Sequence, residues 1–204
     1  SNREYAIRAT DPQIIRDLVT IFNTDTNQNL DPFTTILQIT APNLVVSSKA
    51  SPDARDIITN LINSAQTSLQ IEMEAITDDR GLMTSLSDAG AKINQAAAAP
   101  GAQPAQPGAT PPGVRIIISD QQPDLAILNT TVRVASVGPN KIPNLYMHAK
   151  LIIADGQQAF IGSQNLTEFA MDKNREVGII ITDPGIVQEL SKTFEEDWQS
   201  YPPK

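Results

Sequence analysis

His148 is the only histidine of the chain. It sits in the run LYMHAKLIIAD, Leu145–Asp155. Side chains alternate faces along a strand, so His148 and Lys150 share one face. Asp155-Gly156 then signals a tight turn. The next strand reads AFIGSQN, Ala159–Asn165, and there Ser163 and Asn165 again share a face. A hairpin brings the two polar pairs together. The surrounding residues are mostly Ile, Leu, Phe and Ala, and polar groups buried among them are costly without partners. Four such groups on one face imply a ligand.

Imidazole, ammonium, hydroxyl and carboxamide together suit a phosphate. Lys150 neutralises it, Ser163 and Asn165 donate hydrogen bonds, and His148 can attack phosphorus. Glu176 lies one strand later. It is expected to accept the proton on the other imidazole nitrogen, setting the tautomer and raising nucleophilicity. Each residue alone has an ordinary reading. A strand histidine packs, Lys150 guards an edge, Ser163 and Asn165 lead into a loop, and Asp155 serves its turn. Their register with one another outweighs those readings.

HAKLIIAD followed by GSQN resembles the phospholipase D superfamily signature HxKxxxxD…GSxN. His148, Lys150 and Asp155 supply the first part, and Gly162, Ser163 and Asn165 the second. The spacing to Glu176 is similar to the family's pattern, and the likeness covers roughly residues 44–198. It implies a phospholipase D-like α/β domain, with a mixed β-sheet flanked by helices. It implies phosphodiester hydrolysis or phosphatidyl transfer through a phosphohistidine, by two histidines and without metal or cofactor. By family order His148 belongs to the second motif, where the histidine more often acts as general acid/base. The chain resembles the C-terminal repeat of a two-motif, bacterial-type member. It therefore supplies one half-site and is expected to be inactive alone. Asp155 and Gly162 are structural parts of the motif. The implied partners are an upstream companion repeat and a phosphodiester, phospholipid ahead of nucleic acid. Two alternatives stand beside this reading: a single-motif endonuclease completed by homodimerisation, and a non-catalytic phosphate-binding half.

An internal repeat supports the two-motif reading. NREYAIRATDP at residues 2–12 matches NREVGIIITDP at residues 174–184 without a gap. The register pairs Arg3 with Arg175, Glu4 with Glu176, Asp11 with Asp183 and Pro12 with Pro184. It continues through Leu18/Leu190, Phe22/Phe194 and Asp25/Asp197. Each copy reads as an apolar strand, an Asp cap, Pro at the first helical position and an amphipathic helix. Residues 1–26 are thus expected to be the tail of a preceding repeat. Glu4 would then serve that repeat's histidine, and the face bearing Ile14, Leu18 and Phe22 would need a partner outside this domain.

Residues 27–43 read as an inter-repeat linker, and 44–200 as the domain. Within it a strand is expected at Leu44–Ser47, then a helix capped by Ser51-Pro52 that buries Ala54, Ile57, Ile58, Leu61, Ile62 and Ala65. A half-buried strand follows at Ser68–Ile76, then a helix from about Asp79 to Gln95. The Ala/Pro/Gly-rich residues 96–113 read as a flexible, dispensable insertion. Strands at Val114–Ser119, Val132–Val137 and Arg175–Thr182 complete a mixed sheet.

Fifteen Lys and Arg face 23 Asp and Glu, a formal charge of −8. That is a poor general grip on nucleic acid, though a local basic pocket remains compatible with it. With no cysteine, thiolate catalysis, disulfides and Cys-based zinc sites are excluded. No run is apolar enough for a transmembrane helix. The compartment is left open, with an extracytoplasmic or membrane-peripheral setting slightly favoured.

Overall fold

Short β-branched runs alternate with amphipathic helices, and the chain forms the strands and helices those patterns require. The computed structural model describes residues 2–31, 34–50, 53–77, 81–101, 110–119, 130–134 and 146–200. The elements begin with β1 (Asn2–Arg3), α1 (Pro12–Thr26), β2 (Leu44–Ser47), α2 (Asp53–Ser64) and β3 (Ser68–Met73). They continue with α3 (Leu82–Ala97), β4 (Gly113–Ile118), β5 (Thr130–Val134), β6 (Tyr146–Met147) and β7 (Lys150–Ala154). Last come β8 (Gln158–Gly162), α4 (Glu168–Asp172), β9 (Glu176–Ile181) and α5 (Pro184–Ser200).

Seven strands form one mixed sheet in the order β2-β9-β8-β7-β3-β4-β5. β3, β4 and β5 run parallel, while β7, β8, β9 and β2 pair antiparallel. One face packs Leu69, Ile71, Ile116, Ile152 and Phe160 against Ile58, Ile62 and Leu86 of α2 and α3. The other packs Leu151, Ile153 and Ala159 against Val187 and Leu190 of α5. This is an α/β fold with helices on both faces of a mixed sheet. Among the described residues, no helix is long and apolar enough to cross a membrane.

The sheet differs from its expected outline in ways that matter for the site. β3 is buried on both sides, not half-buried. Its polar row is covered by α5 and the N-terminal segment: Gln70 bonds Glu195 and Ser191, and Tyr5 donates to Glu72 at 2.6 Å. The run Leu145–Asp155 is not one strand. His148 and Ala149 lie in a break between β6 and β7, because β6 leaves the main sheet to pair with β1. The Ser51-Pro52 cap, residues 102–109 of the insertion and residues 135–137 of the expected strand lie outside the described residues. Of that insertion, Ala96 and Ala97 extend α3, and Gly113 already belongs to β4.

The N-terminal segment is docked on this domain. Arg3 makes a bidentate pair with Asp197 of α5 at 2.5 and 2.6 Å. Asp11 caps α1 by accepting from the Gln13 and Ile14 amides. The first repeat copy has only two residues in a strand, β1, in place of the apolar strand expected before Thr-Asp-Pro. Ile14 and Ile21 pack on Leu37, Ala41, Leu44 and Val46. Buried Asp17 accepts from the Thr40 and Ala41 amides, pinning residues 40–41 to the helix. The expected apolar stripe is therefore split. Ile14 is covered, whereas Leu18 and Phe22 are exposed, Phe22 at 66%.

Burial raises the Glu72 carboxyl to about 8, against the opposing hydrogen bond from Tyr5. A group whose folded pKa lies above its unfolded value stabilises fully below the unfolded value, and that contribution is lost as pH rises through the folded one. Stability should therefore decline between about pH 4.5 and about 8, by up to about 5 kcal/mol. Urea unfolding of wild type and Glu72→Gln across that range checks it. The variant's profile should be flatter, and parallel profiles would contradict the assignment.

Candidate active site

The β7–β8 hairpin sets the geometry. Ala154 accepts from the Gln157 amide at 2.9 Å, and Asp155 and Gly156 between them have φ of 54° and 64°. Two successive positive φ values make a type I′ turn, which suits the right-handed twist of the strands it joins. Asp155 does more than turn the chain. Its carboxylate accepts from the Gln66, Thr67 and Ser68 amides and the Thr67 hydroxyl, reaching the loop between α2 and β3. Burial alone would raise this carboxyl, but the hydrogen bonds hold it below its usual range. Gly162, the last residue of β8, faces Gly178 of β9. A Cβ there would come within 2.8 Å of the Gly178 Cα and would also collide with the Phe160 ring. The chain needs glycine at this crossing.

At the end of this hairpin lies a cavity of about 470 Å³. His148, Lys150, Ser163, Asn165 and Glu176 all line it, so the structure brings the sequence-derived set together. Asp155 lies at the opposite end of β7, outside the cavity lining. Lys150 is buried and donates to the Glu74 carboxylate at 2.7 Å and to the His148 carbonyl at 2.9 Å. Asn165 accepts from the Ala75 amide at 3.2 Å and donates to Glu74 at 3.1 Å. Tyr146 stacks on the imidazole, with centroids 5.9 Å apart and planes at 22°.

Glu176 is not the partner of His148. It accepts from Ser163 Oγ at 2.5 Å and from Asn174 at 3.2 Å. The residue beside His148 Nδ1 is Glu4, at 3.0 Å. The cause is strand pairing. β1 runs parallel to β6, and the His148 amide donates to the Arg3 carbonyl at 3.2 Å, which sets residue 4 against residue 148. Glu176 instead opens β9, whose neighbours β8 and β2 hold it beside Ser163.

Glu74 is a cavity residue that sequence reasoning missed. It follows β3 and takes hydrogen bonds from Lys150, Asn165 and Tyr146, the last at 2.5 Å. Its Oε2 also lies 3.5 Å from His148 Nε2. Burial would raise its carboxyl, but the bonds from Lys150, Tyr146 and Asn165 bring it down to about 2. The available signal was the period-two row Gln70, Glu72, Glu74, too polar for a strand with large apolar neighbours on both sides.

Comparison with known proteins bears on this site. A family model described as "Cardiolipin synthase, PLD-like domain" matches residues 110–198. The mitochondrial cardiolipin hydrolase of Xenopus laevis is 40% identical over 58 residues, 28% of this chain and 28% of that protein. A probable cardiolipin synthase of Bacillus subtilis is 37% identical over 54 residues, 26% of this chain and 11% of the relative. The matched stretches thus span little of these relatives' length. The crystal structure of Nuc, a phospholipase D family member from Salmonella typhimurium, superposes with a TM-score of 0.58 at 22% identity. That alignment covers 80% of this chain and 99% of Nuc, and it speaks to the fold. The PLD-like match spans β4 into α5, so the segment that carries most of the cavity's lining is similar to the phospholipase D-like domain of that family.

Proposed function

We propose that this chain supplies one half of a two-histidine phosphodiesterase site, with His148 as its general acid and base. The observation that carries the reading is the imidazole's setting. Glu4 occupies Nδ1, which leaves Nε2 as the reacting atom, and Nε2 lies 3.5 Å from the Glu74 oxygen to which Lys150 and Asn165 donate. A carboxylate on Nδ1–H also stabilises the imidazolium needed to protonate a leaving alkoxide.

The mechanism then runs in two displacements. A histidine from the companion half attacks phosphorus and forms the P–N bond. The P–O bond to the leaving alcohol breaks as His148 Nε2 gives it a proton. His148 next takes a proton from water, or from an acceptor alcohol, whose oxygen displaces the histidine from phosphorus. Lys150 and Asn165 hold phosphate oxygens throughout. One imidazole cannot stand on both sides of phosphorus, so a second is required. The repeat supports its source. Glu4 and Glu176 are equivalent positions, and Glu4 serves this half's histidine. Glu176 is then left for the companion's. The carboxylates are exchanged between halves, which reverses the expectation that each half serves its own.

A phospholipid is the favoured substrate. The named activities of the cardiolipin hydrolase and synthase relatives point that way, as does the formal charge of −8. The test assays a chromogenic phosphodiester, cardiolipin vesicles and single-stranded DNA with this chain alone, with a separately expressed upstream half, and with both. Activity on the diester and the vesicles that appears only in the mixture is expected. Strong activity from a monomer of this chain overturns the half-site reading. Activity from a homodimer of it, on DNA, selects the single-motif endonuclease.

A further inference from the structure

The donors assigned to the substrate phosphate already hold an anion. Lys150 Nζ and Asn165 Nδ2 converge on one oxygen, Glu74 Oε2, at 2.7 and 3.1 Å. His148 Nε2 stands 3.5 Å from the same oxygen. That atom occupies the point at which a phosphate oxygen would meet all three groups. The other carboxylate oxygen is held separately, by Tyr146 Oη. Glu74 also lies one residue beyond the end of β3, in a bend and one-quarter exposed, so its side chain can turn without breaking the sheet ladder.

From this geometry we infer that Glu74 is a charge-selecting residue, a resident anion of the phosphate cradle that admits singly charged phosphodiesters in preference to doubly charged phosphomonoesters. The inference rests on the phosphate-site reading above. An entering phosphate takes Lys150 and Asn165 from Oε2, while Tyr146 keeps the displaced carboxylate at the rim. The carboxylate therefore stays within a few ångströms of the bound phosphate. At that range the repulsion grows with each further negative charge on the ligand. Glu4 and Glu176 line the same cavity, and Lys150 is the one Lys or Arg among the described lining residues. A dianion has little to offset its second charge. A diester carries one charge and meets about half of that repulsion. The same bias expels a phosphomonoester product and keeps free phosphate from blocking the site.

Because His148 is the only histidine, its ring proton signals report binding without ambiguity. Inorganic phosphate at pH 8, mostly dianionic, and dimethyl phosphate, a monoanion, are titrated into the chain and into Glu74→Gln. The variant should bind inorganic phosphate at least about tenfold more tightly than wild type, with a clearly smaller gain for dimethyl phosphate. Equal gains for the two ligands, no gain, or weaker binding of both overturn the inference. Glu74→Asp keeps the charge and shortens the reach. It should preserve the preference for the diester, and its loss there also overturns the inference if Glu74→Gln does not fold. Lys150→Ala separates the two claims. Binding of either ligand that survives this change, or no response of the His148 signals in any variant, refutes the phosphate site itself.

Discussion

With both halves present, His148→Ala should lower steady-state turnover of a nitrophenyl phosphodiester by about 10³–10⁴-fold and still release one equivalent of nitrophenolate in a burst. The companion histidine can still form its bond to phosphorus, and nitrophenolate leaves without a proton. The phosphohistidine then stalls, because no base at the position of His148 activates water. Stopped-flow absorbance distinguishes the outcomes. A burst assigns the acid/base role to His148. Loss of both the burst and turnover makes His148 the nucleophile. Glu4→Gln should cost less, about 10–100-fold, since the amide can still occupy Nδ1 at the same 3.0 Å but no longer stabilises imidazolium. Its loss should be greatest on phospholipid, whose alkoxide leaving group needs the proton.

The second large effect concerns stability. Asp155→Ala removes the acceptor for three backbone amides and one hydroxyl in the loop between α2 and β3. Hydrogen bonds to a charged group are individually strong but not additive, and this carboxylate is partly solvated. A loss of about 2–4 kcal/mol is expected. Ala also fits poorly at φ 54°, a conformation Asn tolerates. Asp155→Asn should therefore fall between Ala and wild type. The backbone hydrogen bonds hold the folded carboxyl below its ordinary value, so the contribution is present above that value and is lost as pH falls through the folded one. Urea midpoints of wild type and variant should converge in acid. A gap that stays constant down to pH 2 would mean the turn conformation, not the carboxylate charge, carries the effect.

The cavity's floor was legible in the sequence because local rules govern it. Period-two alternation aligns His148 with Lys150, and Ser163 with Asn165, while Asp155-Gly156 folds the two runs together. All four side chains line one cavity, although the backbone breaks at His148 and Ala149. What failed to read out depended on distant pairing. Glu4 reaches His148 only because β1 adds alongside β6, and no local pattern announces a two-residue strand. The polar row of β3 resembled a solvent face because α5, which covers it, begins more than a hundred residues later. That misreading concealed Glu74. In α1 the helical period was correct, and Leu18 and Phe22 are exposed as expected of a face without a partner in this domain, whereas Ile14 is covered. Ile14 and Ile21 face inward with Asp17, because the Thr40 and Ala41 amides satisfy that carboxylate and rotate Leu18 and Phe22 outward.

The pair Glu4 and His148 joins positions 144 residues apart. A gene could keep every letter of HAKLIIAD and GSQN and still lose the codon for Glu4. Its product would carry an imidazole with no carboxylate at Nδ1, and an inventory of genomes by that signature alone would count it as intact. Descent acts on the pair, so the two segments must be inherited together.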